Sequence, residues 1–297
     1  MKALYKKKKQ FFDFGYFEKS QKAIVKTWQD FRKQLAEGQF GYKDIEEAKQ
    51  NSTYLRVLEN LLVEANGLTY FSEKIGIHNS ETIELIRGTI LGIDEIPTFS
   101  RFIPNKQYIT KHNRFSPPGI EWLYIALGDK TQIAENDLSV AKNCSIKECN
   151  CKFGDRFGAY RFAFDDNCNE LKIVNLTIAA ERSYDEINAE VEKSIQDLSQ
   201  KMSLSPQERK QAIEEYMLKW STYTYAKLLS EEIFLPVECD DKAYEYAPFQ
   251  TMAQYFISLG FSGIIYSSAV YPKGKNIVLF DKTYAKPCND FFEMIIE

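Results

Sequence analysis

The hydrophobic periodicity of this chain changes several times along its length, and these changes limit its fold more than any other feature. Between Ser20 and Leu35 the apolar residues Ile24, Trp28, Phe31 and Leu35 recur at three- and four-residue steps, and Gly38 follows where a helix would stop. The same period continues through Ile45, Ala48, Leu55, Leu58 and Leu62 towards Gly67. From about Ile83 to Phe164 it gives way to short apolar or aromatic runs bounded by Gly, Pro, Asn and Asp, among them Trp122–Leu127 and Ala159–Phe164. Leu171–Ile178 alternates apolar and polar residues and predicts a further strand.

Helical patterning returns over Glu186–Met202, and Ser205-Pro206-Gln207-Glu208 opens another helix with a capping Ser, a Pro in the first turn and a Glu able to bond back to the cap. Phe249–Leu259 predicts a last helix closed by Gly260. Two strands follow, Gly263–Ser268 and Asn276–Phe280, joined around Gly274. This order lacks regular βαβ alternation, so the fold class is α+β with mixed or antiparallel strands. The chain divides into a helical N-terminal extension, residues 1–78, and a second region, residues 79–297, with a helical insert at about 185–230.

Composition narrows the chemistry. With 44% apolar and 27% charged residues the chain has the make-up of a packed globular protein. No stretch is apolar enough to span a bilayer, and the start, Met1 to Lys9, lacks the apolar centre of a signal peptide, so a cytoplasmic location is expected, with no membrane partner. Six cysteines without a pairing pattern fit a reducing compartment. The net charge of -4 gives no reason to expect direct nucleic-acid binding. Lys6–Lys9 with Lys19, Lys22, Lys26, Arg32 and Lys33 make the start basic, which reads as a solvated terminus and helix face.

Two histidines, His78 and His112, are too few for a His-rich metal site. Neither a Gly-x-Gly-x-x-Gly turn nor a phosphate-binding Gly-Lys-Ser/Thr loop is present. Cys144, Cys149, Cys151 and Cys168 lack paired Cys-x-x-Cys turns and read as free thiols, so no metal is expected. The informative stretch is His112 to Glu135. Arg114 precedes a Pro117-Pro118-Gly119 turn, Tyr124 sits in the following strand, and Thr131 to Glu135 is expected to open a helix. Three polar groups then meet at one strand end. On the residues alone, a solvated Arg before a strand and a helix-face Glu after it explain the pattern as well.

This order resembles the central motif of the RES domain family, a Gly-Arg-Phe/Ala-Asn-Pro-like turn leading to Leu-Tyr-Leu-Ala and Thr-Ala-x-x-Glu, with Arg114, Tyr124, Thr131 and Glu135 at matching places. The family's C-terminal motif resembles Tyr246–Gln250, Gly260–Ser268 and Gly274–Phe280. An earlier family arginine falls on Arg87, with Arg101 as a substitute. The pattern departs at Asn113 for Gly, Ser116 for Asn, Ser262 for Asp and Ser267 for Pro. None of these removes a charged group.

The resemblance implies an ADP-ribosyltransferase-like core and NAD as substrate, with no further cofactor. It implies cleavage of the nicotinamide–ribose bond as a glycohydrolase or phosphorylase, in the toxin of a bacterial toxin–antitoxin pair whose antitoxin has a helix-turn-helix region. Arg114, Glu135 and Ser268 would be catalytic, and Arg87, Tyr124, Thr131, Gln250 and Asn276 would bind NAD. An ADP-ribosyltransferase acting on a macromolecule, and a non-catalytic binding module, are the alternatives. The acceptor and the oligomeric state, a homo-oligomer included, stay open.

Overall fold

The computed structural model describes residues 15–41, 43–78, 81–134, 136–200, 204–235 and 242–297; Lys6–Lys9 and Glu135 lie outside them. In chain order the elements are α1 (Gly15–Ala36), α2 (Ile45–Asn51), α3 (Thr53–Glu59), β1 (Ser72–Lys74), β2 (Ile83–Leu91), β3 (Leu123–Asp129), α4 (Val140–Glu148), β4 (Arg156–Phe164), β5 (Lys172–Asn175), α5 (Tyr184–Gln200), α6 (Pro206–Phe234), α7 (Lys242–Ser258), β6 (Gly263–Ser267), β7 (Lys275–Leu279) and β8 (Ala285–Ile295). The eight strands form one sheet in the order β1-β5-β6-β7-β3-β2-β4-β8. Neighbours run antiparallel except β5 and β6, which are parallel. The expected α+β class with mixed strands, N-terminal helices and a helical insert is what the chain forms.

Period-two alternation divides the sheet between two cores. Ile264, Tyr266 and Val278 join α1, α3, α6 and α7 in a helix-covered cluster. Ile265, Ile277 and Leu279, one residue out of phase, join Leu85, Leu123, Ile125 and Phe162 in another. A smaller cluster seats α4 through Ala141 and Ile146 against Ile86, Phe157 and Ala159.

The N-terminal helices share the main core. Trp28 and Phe31 of α1 are fully buried and pack on Tyr54 of α3, at ring separations of 5.1 and 5.3 Å, while Trp28 also meets Phe249 of α7 at 5.7 Å. Their cluster includes Tyr225, Leu228 and Leu229 of α6. The division at residue 78 is one of sequence pattern and does not coincide with a gap in the core.

Local side-chain bonds explain where the elements depart from expectation. The second helical stretch breaks at Ser52, whose hydroxyl caps α3 by accepting from Leu55 N at 3.4 Å. The strand expected to reach Ile178 ends at Asn175, because the Asn175 side chain accepts from Thr177 N (2.9 Å) and Oγ1 (2.7 Å) and turns the chain into a short 3-10 segment, Leu176–Ala179. The helix expected to open over Thr131–Glu135 does not start there. Asp129 accepts from Thr131 N and Oγ1, both at 2.8 Å, Ile133 bridges across to Ser139, and α4 begins only at Val140 behind the Ser139 cap. The capping box at Ser205 and Glu208 forms as its sequence predicts. Strand β8, which pairs with β4, was not among the expected strands. Among the described residues, no helix is long and apolar enough to cross a membrane.

One irregularity makes room for a site. Strand β2 pairs with β3 only from Ile83 to Ile86, yet stays paired with β4 to Leu91. The two strands therefore part company at Arg87.

Candidate active site

A cleft of about 490 Å³ opens at this parting, lined among others by Arg87, Arg114, Tyr124, Glu148, Tyr246 and Asn276. Arg87 takes up two backbone acceptors where the ladder ends: Nη1 donates to Tyr124 O on β3 at 2.5 Å and Nε to Phe102 O at 2.7 Å. Burial pulls its guanidinium down to about 10, still protonated at neutral pH. Nη2 is engaged in neither bond.

Arg114 enters from the loop before β3. Its guanidinium lies 5.3 Å from the ring centre of Tyr246 and 5.6 Å from that of Phe249, both on α7, and Nη2 donates to Leu235 O at 3.3 Å. Nη1 is buried and has no hydrogen-bond partner among the described residues. An orphaned cationic donor beside a cleft is a ready contact for an anion.

The carboxylate of the cleft is Glu148, the last residue of α4. Its Oε1 accepts from Ser268 Oγ at 2.7 Å and Asn276 Nδ2 at 2.6 Å. Ser268 is itself fully buried, and its oxygen accepts from Val270 N and Tyr271 N, at 3.3 and 3.1 Å. Asn276 Oδ1 accepts in turn from Cys144 Sγ at 3.5 Å; burial, aided by the nearby Glu148 charge, pushes that thiol up to about 12, which keeps it a donor. The network fixes Oε1 of the carboxylate, and Glu148 lines the cleft. Tyr124 pairs with Ser116 Oγ at 2.9 Å, and burial raises its phenol well above the usual range.

Of the residues that the sequence singled out, Arg87, Arg114, Tyr124 and Asn276 line one cleft. Ser268 lies beneath Glu148 and reaches the cleft through it. Gln250, also buried, donates to Asn113 O at 3.1 Å and pairs with His112 Nδ1 at 3.2 Å, so it holds the loop before Arg114. Thr131 lines a different cleft, of about 630 Å³, with His78 and Asp129. Arg101 pairs with Glu95 at 2.8 Å and lines a third, of about 990 Å³, which shares Arg87, Asn113 and Tyr124 with the first. Sequence reasoning missed Glu148, Lys242 and the stacking role of Tyr246. Nothing local marks Glu148, which reads as one more charge at a helix end. Among the described residues no three His, Cys, Asp or Glu side chains gather as a metal would require.

Residues 176–290 match the family model described as the RES domain. The matched segment includes Gln250, Ser268 and Asn276 and leaves out Arg87, Arg114, Tyr124, Thr131, Glu135 and Glu148. No curated protein matches the chain. A solved chain from the crystal structure of the M. tuberculosis MbcT-MbcA toxin-antitoxin complex is similar at a TM-score of 0.33 and 10% identity, over 80% of this chain and 92% of that one. Ser268, just past β6, and Asn276 on β7, which hold Glu148, thus belong to the segment that matches the RES domain model.

Proposed function

We propose that the cleft cleaves the nicotinamide–ribose bond of NAD, and that the protein acts as the toxin of a bacterial toxin–antitoxin pair. The observation that carries this reading is the meeting of two arginines with one anchored carboxylate, Glu148, in a cleft that continues into a larger neighbour. A dinucleotide is long and carries a pyrophosphate, for which planar, permanently charged donors are suited. Both guanidinium groups line the cleft, and Arg114 Nη1 has no hydrogen-bond partner among the described residues. NAD as the substrate follows from the RES resemblance, as does an antitoxin that blocks the cleft.

In this reading the glycosidic electron pair leaves with nicotinamide, which departs neutral, while positive charge develops on the ribosyl carbon. The carboxylate of Glu148 stabilises that charge or holds the ribose 2′-hydroxyl. Ser268 and Asn276 prevent the carboxylate from turning away, an electrostatic arrangement made before the substrate arrives. Water, inorganic phosphate or a protein side chain then bonds to the ribosyl carbon and gives up its proton.

The test is nicotinamide release from NAD by purified protein, with products resolved by chromatography in buffers with and without phosphate. Glu148→Gln should lower kcat by roughly 10²–10³-fold. Glu135→Gln is the paired control, since the family motif points to that residue. Full turnover by folded Glu148→Gln protein, with turnover lost in Glu135→Gln, would return the catalytic role to Glu135. Expression of the wild type without a partner should deplete NAD and stop growth. Harmless accumulation of folded protein would count against the toxin role.

A further inference from the structure

No residue of α1 lines the cleft, yet two of its side chains reach the groups that hold Arg114. Trp28 packs on Phe249 at 5.7 Å, and the same Phe249 ring lies 5.6 Å from the Arg114 guanidinium. One turn further along α1, Arg32 joins two helix ends: Nη1 lies 3.2 Å from Glu232 Oε2 on α6, and Nη2 2.5 Å from Glu245 Oε2 on α7. Glu232 comes three residues before Leu235, whose carbonyl accepts from Arg114. Glu245 is the neighbour of Tyr246, on which Arg114 stacks, and is three residues past Lys242 on the cleft wall. The three side chains are only 33%, 21% and 28% exposed, so solvent screens the pairs less than it would at an open surface.

We propose that Arg32 is a positioning residue for substrate binding: its fork pins the adjoining ends of α6 and α7, and through Leu235 and Tyr246 it fixes the orientation of the Arg114 guanidinium at the cleft wall. Without the cation, Glu232 and Glu245 are left as like charges on adjoining helix ends, and the first turn of α7 loses its tie. The N-terminal helix is then part of the binding apparatus without touching the ligand. The inference rests on the reading of the cleft as an NAD site.

The full-length Arg32→Gln variant tests it. The KM for NAD should rise roughly three- to tenfold with kcat within about twofold of wild type, because only the group that binds the ligand is displaced. Arg32→Lys should recover part of the loss, since lysine keeps the charge but lacks the planar fork. Backbone hydrogen exchange should quicken in Arg32→Gln over residues 242–250 and not over α4 or β6. An unchanged KM with unchanged exchange in α7 overturns the proposal, as does a fall in kcat alone. Should Arg32→Gln fail to fold, Glu245→Gln, which removes one arm of the clamp, takes its place with the same readings. If the wild type leaves NAD intact, the NAD reading fails by itself; exchange over α7 then decides the clamp, faster supporting it and unchanged overturning it.

Discussion

Gly88 stands beside Arg87 at the mouth of the cleft, where a side chain has no room. A Cβ there would come within 2.1 Å of the Phe157 ring and 2.9 Å of Ser145 Oγ, and Phe157 is fully buried between β4 and α4. The Gly88→Ala variant should therefore lose about 1–3 kcal/mol through overpacking, visible as a lower Tm. A wild-type Tm would mean that Phe157 has another place to go. The adjacent residue shows the same economy, since one side chain, Arg87, satisfies two main-chain carbonyls. Around Glu148, each neighbour likewise has one orientation available: Ser268 must donate to the carboxylate because its oxygen already accepts from two backbone amides, and Asn276 must point its Nδ2 there because Cys144 donates to its oxygen.

Among the elements, β1 depends on side chains as much as on its short ladder with β5. Glu73 accepts from Asn175 Nδ2 at 2.7 Å and pairs with His78 Nε2 at 2.9 Å. Burial pushes the Glu73 carboxyl up, but the bonds from His78 and Asn175, with the charges of His78 and Lys275, outweigh it and hold the group below its ordinary value. A carboxyl lowered in this way stabilises the fold at pH values above its unfolded value and loses that contribution as pH falls through its folded one. Glu73→Gln should thus cost about 1 kcal/mol near neutrality, and denaturant midpoints for variant and wild type should converge below the ordinary carboxylate range. A gap that persists in acid would show that shape, and not charge, ties β1 to β5. Within the insert, the Ser205–Glu208 box was legible in four letters because both of its bonds are local.

In the whole molecule, α1 and α3 cover apolar residues of α6 and α7 that would otherwise face water. Deleting residues 1–78 would expose Tyr225, Leu228, Leu229 and Phe249 together, so the truncated chain should aggregate or melt at markedly lower temperature than the full chain, as measured by light scattering and thermal unfolding. A stable truncation with increased NAD cleavage would instead identify the segment as an inhibitor. The same packing accounts for the clamp at Arg32, whose partners are 200 and 213 residues away in sequence. No periodicity in α1 could announce them.

The sequence by itself determined the class of fold, the starts of α2, α5 and α6, the paired strands around Gly274 and the RES resemblance of the C-terminal segment, because these depend on period, caps and turns within a few residues. It also marked Arg87, Arg114, Tyr124 and Asn276, which the structure gathers in one cleft. Only the tertiary structure brought Glu148 to the cleft wall. Glu148 is raised to the site by a helix that begins after an Asp129 turn and is held by residues on β7 and just past β6. The burial of Ser268 and the remoteness of Thr131 were equally invisible to spacing. Local order is written in neighbouring residues, whereas a site made at the parting of two strands depends on where the ladder between them ends.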